Sequence, residues 1–367
     1  MAVRRSRPTA APKAAAGTTP HAAPPDEMLL AFYRQMVLIR RFEERAARAY
    51  TQAEIGGYCH LNLGEEATVV GLMSAMEPSD YLFTNYREHG YAIGRGIAPG
   101  RIMAELYGRS DGVSKGWGGS MHLFDLEARL LGGYGIVGGQ VPLATGAALA
   151  IDYRSGKEAV VCVMGDGATN IGAFHESLNI AALWQLPIVY VVVNNGLGMG
   201  TTVEQSSGEP ELYKRAASYR MASARVDGND PVAVRDATLS ALASAREGKP
   251  FLLETVSGRL KGHSVVDPAK YRAKDEAESL KAGDPVAAFA VQLAERDLLT
   301  DEAIADIDAE AMRAVGEAVA FAEASPHPSV ETLFDYTYAT AVPNDSRRLP
   351  GQPLFGPAPF PLIGAPV

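Results

Sequence analysis

Residues 159–195 read AVVCVMGDGATNIGAFHESLNIAALWQLPIVYVVVNN, and this stretch decides the fold. Ala159 to Met164 is a short continuous apolar run with three valines, and Pro187 to Val193 is a second. Runs of this length, rich in β-branched residues and without polar alternation, read as strands covered on both faces, the situation of a parallel sheet flanked by helices. Between them Gly165 interrupts the pattern, and Ala168 to Trp184 reads as a helix. Strand, helix and strand in this order form a parallel crossover unit.

The alternation continues in both directions. A long amphipathic helix is predicted from near Asp26, where Leu29, Tyr33, Met36, Val37, Phe42 and Ala46 fall near helical spacing, and another follows Gly64, carrying Val69, Val70 and Leu72. Downstream, Ser223–Val226 and Phe251–Val256 read as strands on either side of a helix from Pro231 to Arg246. Beyond Lys281 the pattern is helical, over Pro285–Leu298 and Asp301–Ala322. The fold class is therefore α/β, a doubly wound, mostly parallel sheet with N-terminal and C-terminal helical extensions. The expected division is a disordered Ala/Pro-rich arm over 1–25, one α/β domain with terminal helices over 26–325, and an extended Pro-rich tail over 326–367.

The composition narrows the function. The chain has 367 residues, of which 47% are hydrophobic and 21% charged, a globular profile. Lys and Arg total 34 against 43 Asp and Glu, a net charge of −9, so no basic field holds a polyanion and nucleic acid is not an expected partner. Two cysteines, Cys59 and Cys162, cannot build a disulfide framework or a four-thiolate metal site and fit a reducing compartment. The longest uncharged stretch, Leu130 to Ile151, contains six glycines with Gln140 and Pro142, and reads as a Gly-rich loop followed by a helix rather than a membrane span. The first 25 residues carry Arg4, Arg5, Arg7 and Lys13 and no acid, but five prolines interrupt the amphipathic helix that a mitochondrial leader needs. A cytoplasmic location is the expectation, with the mitochondrial matrix as its alternative.

In an open α/β sheet, ligands bind beyond the carboxyl ends of the strands. After the first clear strand comes Gly165-Asp166-Gly167, and after the next come Asn194 and Asn195. The glycines allow close approach of a ligand, Asp166 supplies a hard carboxylate oxygen, and the helix predicted from Ala168 aims free amides at the same point. Asn195 follows Asp166 by 29 residues, one crossover unit, so its amide oxygen can reach the same ion from the adjacent strand. A diphosphate with a divalent cation suits that set, since magnesium takes oxygen ligands and keeps phosphate and water in its shell.

Seven motifs then occur in one order: YCHLNLGEEA at 58–67, YREHG at 86–90, GWGGSMH at 116–122, GIVGGQVP at 135–142, GDGATN at 165–170, NNGLGMGT at 194–201 and GHSVVD at 262–267. Gly165-Asp166-Gly167 with Asn194-Asn195 resembles the thiamine-diphosphate fingerprint. Over residues 28–325 the chain resembles the alpha subunits of the pyruvate dehydrogenase type of 2-oxoacid dehydrogenase.

The resemblance implies a thiamine-diphosphate-binding fold, with Asp166, Asn195 and the backbone carbonyl of Leu197 ligating Mg2+. It implies that Gly167 and Ala168 contact the diphosphate through their amides, that Tyr86 and Arg87 lie at the cofactor's phosphate and ring, and that Gly135 and Val137 hold its aminopyrimidine. His263 is implied beside the diphosphate and the reacting centre, and His60 and His89 as further active-site histidines. His263 and His60 are the candidates for stabilising developing charge or moving protons.

The implied activity is oxidative decarboxylation of pyruvate, with transfer of the acetyl group to lipoyl-lysine of the dihydrolipoyl acyltransferase component. A branched-chain 2-oxoacid or acetoin is the alternative substrate. Enzymes of this kind also need a glutamate on the cofactor's pyrimidine and a second α/β domain to bear it. Without residues 1–25 and 343–367 the chain keeps about 315 residues, enough for one such domain with helical additions. A separate beta subunit in a two-alpha, two-beta assembly is therefore expected.

Trp117, Lys261 and Gly196-Leu197 depart from the family's usual lysine, histidine and Arg-Tyr, which leaves substrate identity open. Gly133-Tyr-Gly135-Ile-Val-Gly138 also satisfies a dinucleotide fingerprint, with Asp152 nineteen residues after Gly133. Its context is unfavourable, because Leu126–Arg129 reads as no strand and Asp152 falls at a helix end. A non-catalytic scaffold subunit and an adaptor acting through its Pro-rich tails are the readings of other classes. Retention of Asp166, Asn195, Tyr86, Arg87 and His263 together speaks against the scaffold.

Overall fold

The computed structural model describes residues 21–333, 335 and 336. Most of the predicted arm (1–25) and tail (326–367) lies outside them. The chain divides after Pro328, and of the second unit the described part is a single 3-10 turn at Val330–Thr332 with its neighbours.

The expected doubly wound parallel sheet is present. Its strands are β1 (Tyr81–Asn85), β2 (Leu130–Tyr134), β3 (Val160–Gly165), β4 (Ile188–Asn194), β7 (Ala222–Asp227) and β8 (Phe251–Val256); β5 (Leu197–Gly198) and β6 (Thr201–Thr202) form a two-residue antiparallel ladder after β4. The sheet order is β2-β1-β3-β4-β8-β7, with every pairing in it parallel. The helices are α1 (Asp26–Thr51), α2 (Glu66–Ala75), α3 (His89–Gly94), α4 (Pro99–Leu106), α5 (Gln140–Tyr153), α6 (Gly172–Trp184), α7 (Val203–Ser206), α8 (Pro231–Arg246), α9 (Lys274–Ala282), α10 (Pro285–Ala294) and α11 (Asp301–Ala324).

The continuous apolar runs follow from burial on both faces. Val161, Val163, Val189, Val191 and Leu253 point into the core shared with α1, α2 and α8. Val160, Cys162, Met164, Tyr190 and Leu252 point into the opposite core with α5 and α6. Successive side chains of a strand alternate between faces, so a strand with helices on both sides shows no polar alternation.

Several elements depart from the sequence reading. β1 and β2 were not expected: both are five residues long, and β2 contains two glycines, which weaken the strand signal. β2 also gives the dinucleotide-like motif a strand that the sequence hid, whereas Asp152 does sit near the end of α5. The helix expected from Ala168 begins instead at Gly172. Asp166–Asn170 is a 3-10 turn, closed by a bond from the Thr169 hydroxyl to the Asp166 carbonyl, and Ile171 is extended at φ −82°, ψ 150°. The amides at the strand tip thus belong to that tight turn. At the C-terminal end, α9 precedes the two predicted helices, and α11 packs on α1 and α4.

Register places the strand ends together. Gly165 pairs with Val193, Asn194 with Val256 and Asn85 with Tyr134, so the residues that follow emerge along one edge. The chain leaves β1 for β2 on one side and returns to β3 on the other, which makes the gap between β1 and β3 the topological switch point. Gly64 brings the segment before α2 to the same edge. Its φ is +97°, and a Cβ there would overlap the Gly258 carbonyl oxygen, while Leu260 N donates to the Leu63 carbonyl at 3.0 Å. Gly64→Ala is expected to cost about 1–3 kcal/mol through backbone strain and that overlap. Chemical denaturation checks this, and a wild-type midpoint would count against the close approach.

Candidate functional site

A cavity of about 280 Å3 opens at the switch point. β1 delivers Asn85, Tyr86 and Arg87; the turn after β3 delivers Asp166, Gly167 and Ala168; β4 and the β5–β6 ladder deliver Asn195, Leu197 and Met199. The start of α5 contributes Val137, Gly138 and Gln140, the approach to α2 contributes Glu65, and the loop after β8 contributes Arg259 and His263. Nine of the residues singled out from the sequence therefore meet on one cavity: Tyr86, Arg87, Val137, Asp166, Gly167, Ala168, Asn195, Leu197 and His263.

The remaining three stand differently. Gly135 lies two residues before Val137 but outside the lining, against the His122 ring. His60 sits one layer behind the wall, its ring 4.4 Å from Tyr86 and 5.1 Å from His263 between centroids. His89 opens α3 and turns away from the cavity. It is fully buried, with Nδ1 2.8 Å from Glu43 Oε2 and Nε2 2.9 Å from Ser120 Oγ, so both nitrogens are already engaged. Trp117 and Lys261 do not line the cavity.

Four charged groups surround the space, all nearly buried: Glu65 at 3% exposure, Arg87 at 4%, Asp166 at 7% and Arg259 at 2%. Glu65, Arg259, Gln140 and Met199 were not anticipated from sequence. Burial pushes the Asp166 carboxyl up to about 6, with Arg259 opposing and Glu65 adding to the rise. Arg87 is tied to backbone carbonyls, through Nη1 to Leu61 at 3.0 Å and Nη2 to His263 at 2.6 Å. Arg259 likewise reaches the Leu197 carbonyl at 3.3 Å and the Tyr271 hydroxyl at 3.0 Å.

Arg87 Nη2 also stands 3.5 Å from His263 Nδ1. A guanidinium only donates, so Nδ1 is the bare nitrogen and Nε2 carries the hydrogen. Burial, with help from Arg87 and Arg259, lowers the His263 pKa to about 4; burial and Arg87 lower that of His60 to about 3. In this chain by itself both rings are neutral near pH 7. A neutral imidazole offers one donor and one acceptor nitrogen.

The site fits a diphosphate with a hard cation. Space for a ligand is open beside Gly165 and Gly167, where a Cβ would meet nothing within 4 Å. Asp166 is a buried carboxylate, a hard oxygen donor at the strand tip, and two guanidiniums complement phosphate oxygens. Among the described residues no group of three His, Cys, Asp or Glu could hold a metal ion, so a cation here depends on amide, carbonyl and ligand oxygens beside the carboxylate. A larger cavity of about 720 Å3 lies at the opposite edge, before β7 and β8, but no carboxylate or imidazole lines it. Chemistry therefore selects the smaller one.

A parallel sheet with Asp166 and Asn195 on adjacent strand ends defines a cofactor-binding α/β enzyme subunit, and the chain belongs to the dehydrogenase E1 component family, whose model matches residues 34–331. Membership implies thiamine diphosphate as cofactor. The chain is similar to the pyruvate dehydrogenase E1 component subunit alpha of Rhizobium meliloti, 43% identical over 335 residues that cover 90% of this chain and 96% of that protein. The protein of the same name from Zymomonas mobilis is 42% identical, over 84% of this chain and 88% of its own length. The somatic, mitochondrial form from Homo sapiens is 40% identical, over 87% and 81% respectively.

The lowered histidine pKa values predict a pH dependence. Unfolded histidines near 6.5 bind protons that the folded rings refuse, so this share of stability is complete above about pH 6.5 and is lost as pH falls toward 4 and then 3. His60→Gln is expected to flatten the fall in melting temperature between roughly pH 7 and pH 5. Equal slopes for variant and wild type would contradict the assignment.

Proposed function

We propose that the chain is the alpha subunit of a pyruvate dehydrogenase (acetyl-transferring), with the cofactor domain over residues 26–325. The observation that carries this reading is the meeting of Asp166, Asn195, Leu197, Arg87 and His263 on one cavity at the switch point, in a chain of this family. Asp166, the amide oxygen of Asn195 and the carbonyl of Leu197 hold Mg2+. Gly167 and Ala168 offer amides to the diphosphate, Tyr86 and Arg87 face its phosphate and ring, and Val137, with Gly135 behind it, shapes the aminopyrimidine side. Thiamine diphosphate supplies the nucleophilic ring carbon and electron sink for loss of carbon dioxide from the 2-oxoacid.

The chain's own residues bind, orient and exclude water. His263, neutral and with its hydrogen on Nε2, donates to oxygen at the reacting centre. His60 packs against it and Tyr86 and fixes the ring planes. His89 supports α3 and Ser120 from outside the cavity.

The site is completed by a beta subunit that brings the second α/β domain and the pyrimidine glutamate, in a two-alpha, two-beta assembly. The surface supports a partner. Ile136 and Val137 are exposed at the cavity mouth, and α5 continues with Pro142, Leu143, Gly146, Leu149, Ala150 and Tyr153 turned outward opposite its buried face. A helix apolar all round calls for cover on both sides. The acyl acceptor is the lipoyl-lysine of the dihydrolipoyl acyltransferase, and the location is cytoplasmic, in keeping with bacterial relatives. Among the described residues no helix is long and apolar enough to cross a membrane.

Co-expression with candidate beta subunits tests the reading. The complex is expected to oxidise pyruvate faster than 2-oxoisovalerate or acetoin, and Asp166→Ala to lower turnover by on the order of 100-fold or more. Substantial turnover by the alpha chain without a partner would overturn the half-site.

A further inference from the structure

The cation site depends on which way the Asn195 amide points. Its oxygen and nitrogen are nearly the same size, and only the oxygen can serve a cation. The neighbouring hydrogen bonds fix that direction by a chain of polarity that begins at a backbone N–H. Gly90 N donates to Asn62 Oδ1 at 3.1 Å. A backbone amide cannot accept, so the Asn62 oxygen faces Gly90 and its Nδ2 faces the other way. Nδ2 donates to the Arg87 carbonyl at 3.2 Å and to Glu65 Oε2 at 3.2 Å. The second carboxylate oxygen, Glu65 Oε1, receives Asn195 Nδ2 at 3.2 Å. Asn195 Oδ1 is thereby turned away from Glu65, where its recorded contact is a long bond of 3.4 Å from Leu197 N.

The geometry points to Glu65 as the positioning residue of the candidate cation site: an acceptor-only group, placed between two amide NH2 donors, that locks Asn195 with its oxygen free for the ion. This inference rests on the diphosphate and cation reading of the cavity. Nothing in the seven sequence motifs gave Glu65 a role, and its side chain is spent on these two amides. Among the described residues it forms no ion pair. Its acceptor-only character is the requirement. A glutamine at 65 would satisfy one asparagine with its oxygen and meet the other donor with its own NH2, so one of the two amides must turn. A leucine would release both.

The charge of Glu65 has a second consequence in the same site. Glu65 and Asp166 both line the cavity, so a diphosphate arriving without a cation meets two carboxylates. The positioning role and the charge then act in the same direction, toward capture of the anion together with its ion.

The test uses the alpha–beta complex with Mn2+ as the probe, its affinity read by electron paramagnetic resonance with thiamine diphosphate present, and folding checked by thermal melting. Glu65→Leu is expected to weaken Mn2+ binding about 10- to 100-fold, and Glu65→Gln by a smaller factor. Glu65→Gln is also expected to tighten binding of inorganic pyrophosphate in the absence of metal, measured by calorimetry. If Glu65→Leu fails to fold, Glu65→Gln carries the test through both measurements. Mn2+ affinity unchanged in a folded variant overturns the role of Glu65 and leaves the site reading intact. A wild-type complex that binds neither Mn2+ nor thiamine diphosphate overturns the site reading itself.

Discussion

Four ionised side chains around one small cavity, kept apart from one another, set the terms for the rest of the structure. Taking each out of water costs several kcal/mol, and the usual compensation is a mutual ion pair. Here, among the described residues, Glu65, Arg87, Asp166 and Arg259 form none. Arg87 and Arg259 are held by backbone carbonyls, Glu65 by two asparagine amides, and Asp166 relieves its burial through a raised pKa. Arg87, Arg259 and Glu65 are fixed by neutral groups and so remain available to a ligand. A site that neutralised itself internally would have to break those pairs before binding.

Holding the charges in that way needs a rigid frame, and the frame is the parallel sheet. Six strands in register bring the ends of β1, β3, β4 and β8 to one edge, and both faces of β3 and β4 are closed by helices. Close packing elsewhere supports the loops: the buried Glu105 carboxylate accepts from the backbone amides of Ser114, Gly116, Gly118 and Gly119 and fastens the loop that carries Trp117. The anchor lies in α4, and Trp117 itself is exposed and outside the cavity lining.

The sequence disclosed what periodicity and punctuation encode. β3, α8 and β8 were legible within a residue or so because burial on two faces, a Pro at the helix start and short apolar runs are local signals. β2 was hidden by Gly132 and Gly133, of which Gly132 adopts φ +101° where Phe124 packs against it. The break at Ile171 was hidden because the composition from Ala168 onward is helical and only the tight turn at Asp166–Asn170 interrupts it. Glu65 and Arg259 were missed for a different reason. An isolated acid or base in a sequence reads as a solvated residue, and its burial is a property of the tertiary contacts made by Gly64, Gly258 and the loop after β8. His89 came from the family resemblance alone, and α3 places its ring on Glu43 rather than on the cavity lining.

The same distinction explains why the site looks finished on one side and bare on the other. Around the diphosphate end Arg87, Arg259, Glu65 and Asn195 each have defined hydrogen-bond neighbours, supplied by backbone carbonyls and the Asn62–Glu65–Asn195 chain. Around the side read as the ring end the lining is Val137 and Gly138, with Ile136 open to solvent, and among the described residues no carboxylate other than Glu65 and Asp166 lines the cavity. A thiamine ring requires a proton acceptor and a dry wall as much as its phosphates require cations. One α/β layer furnishes strand ends for only one half of an extended ligand, so the missing wall must come from a second surface. The outward apolar face of α5, which starts at Gln140 in the cavity lining, runs continuously from that bare side. On the proposed alpha-subunit reading, interface and active site are one construction, and a substitution that loosens a contact along α5 would act on catalysis through the ring's environment while leaving the diphosphate half unchanged.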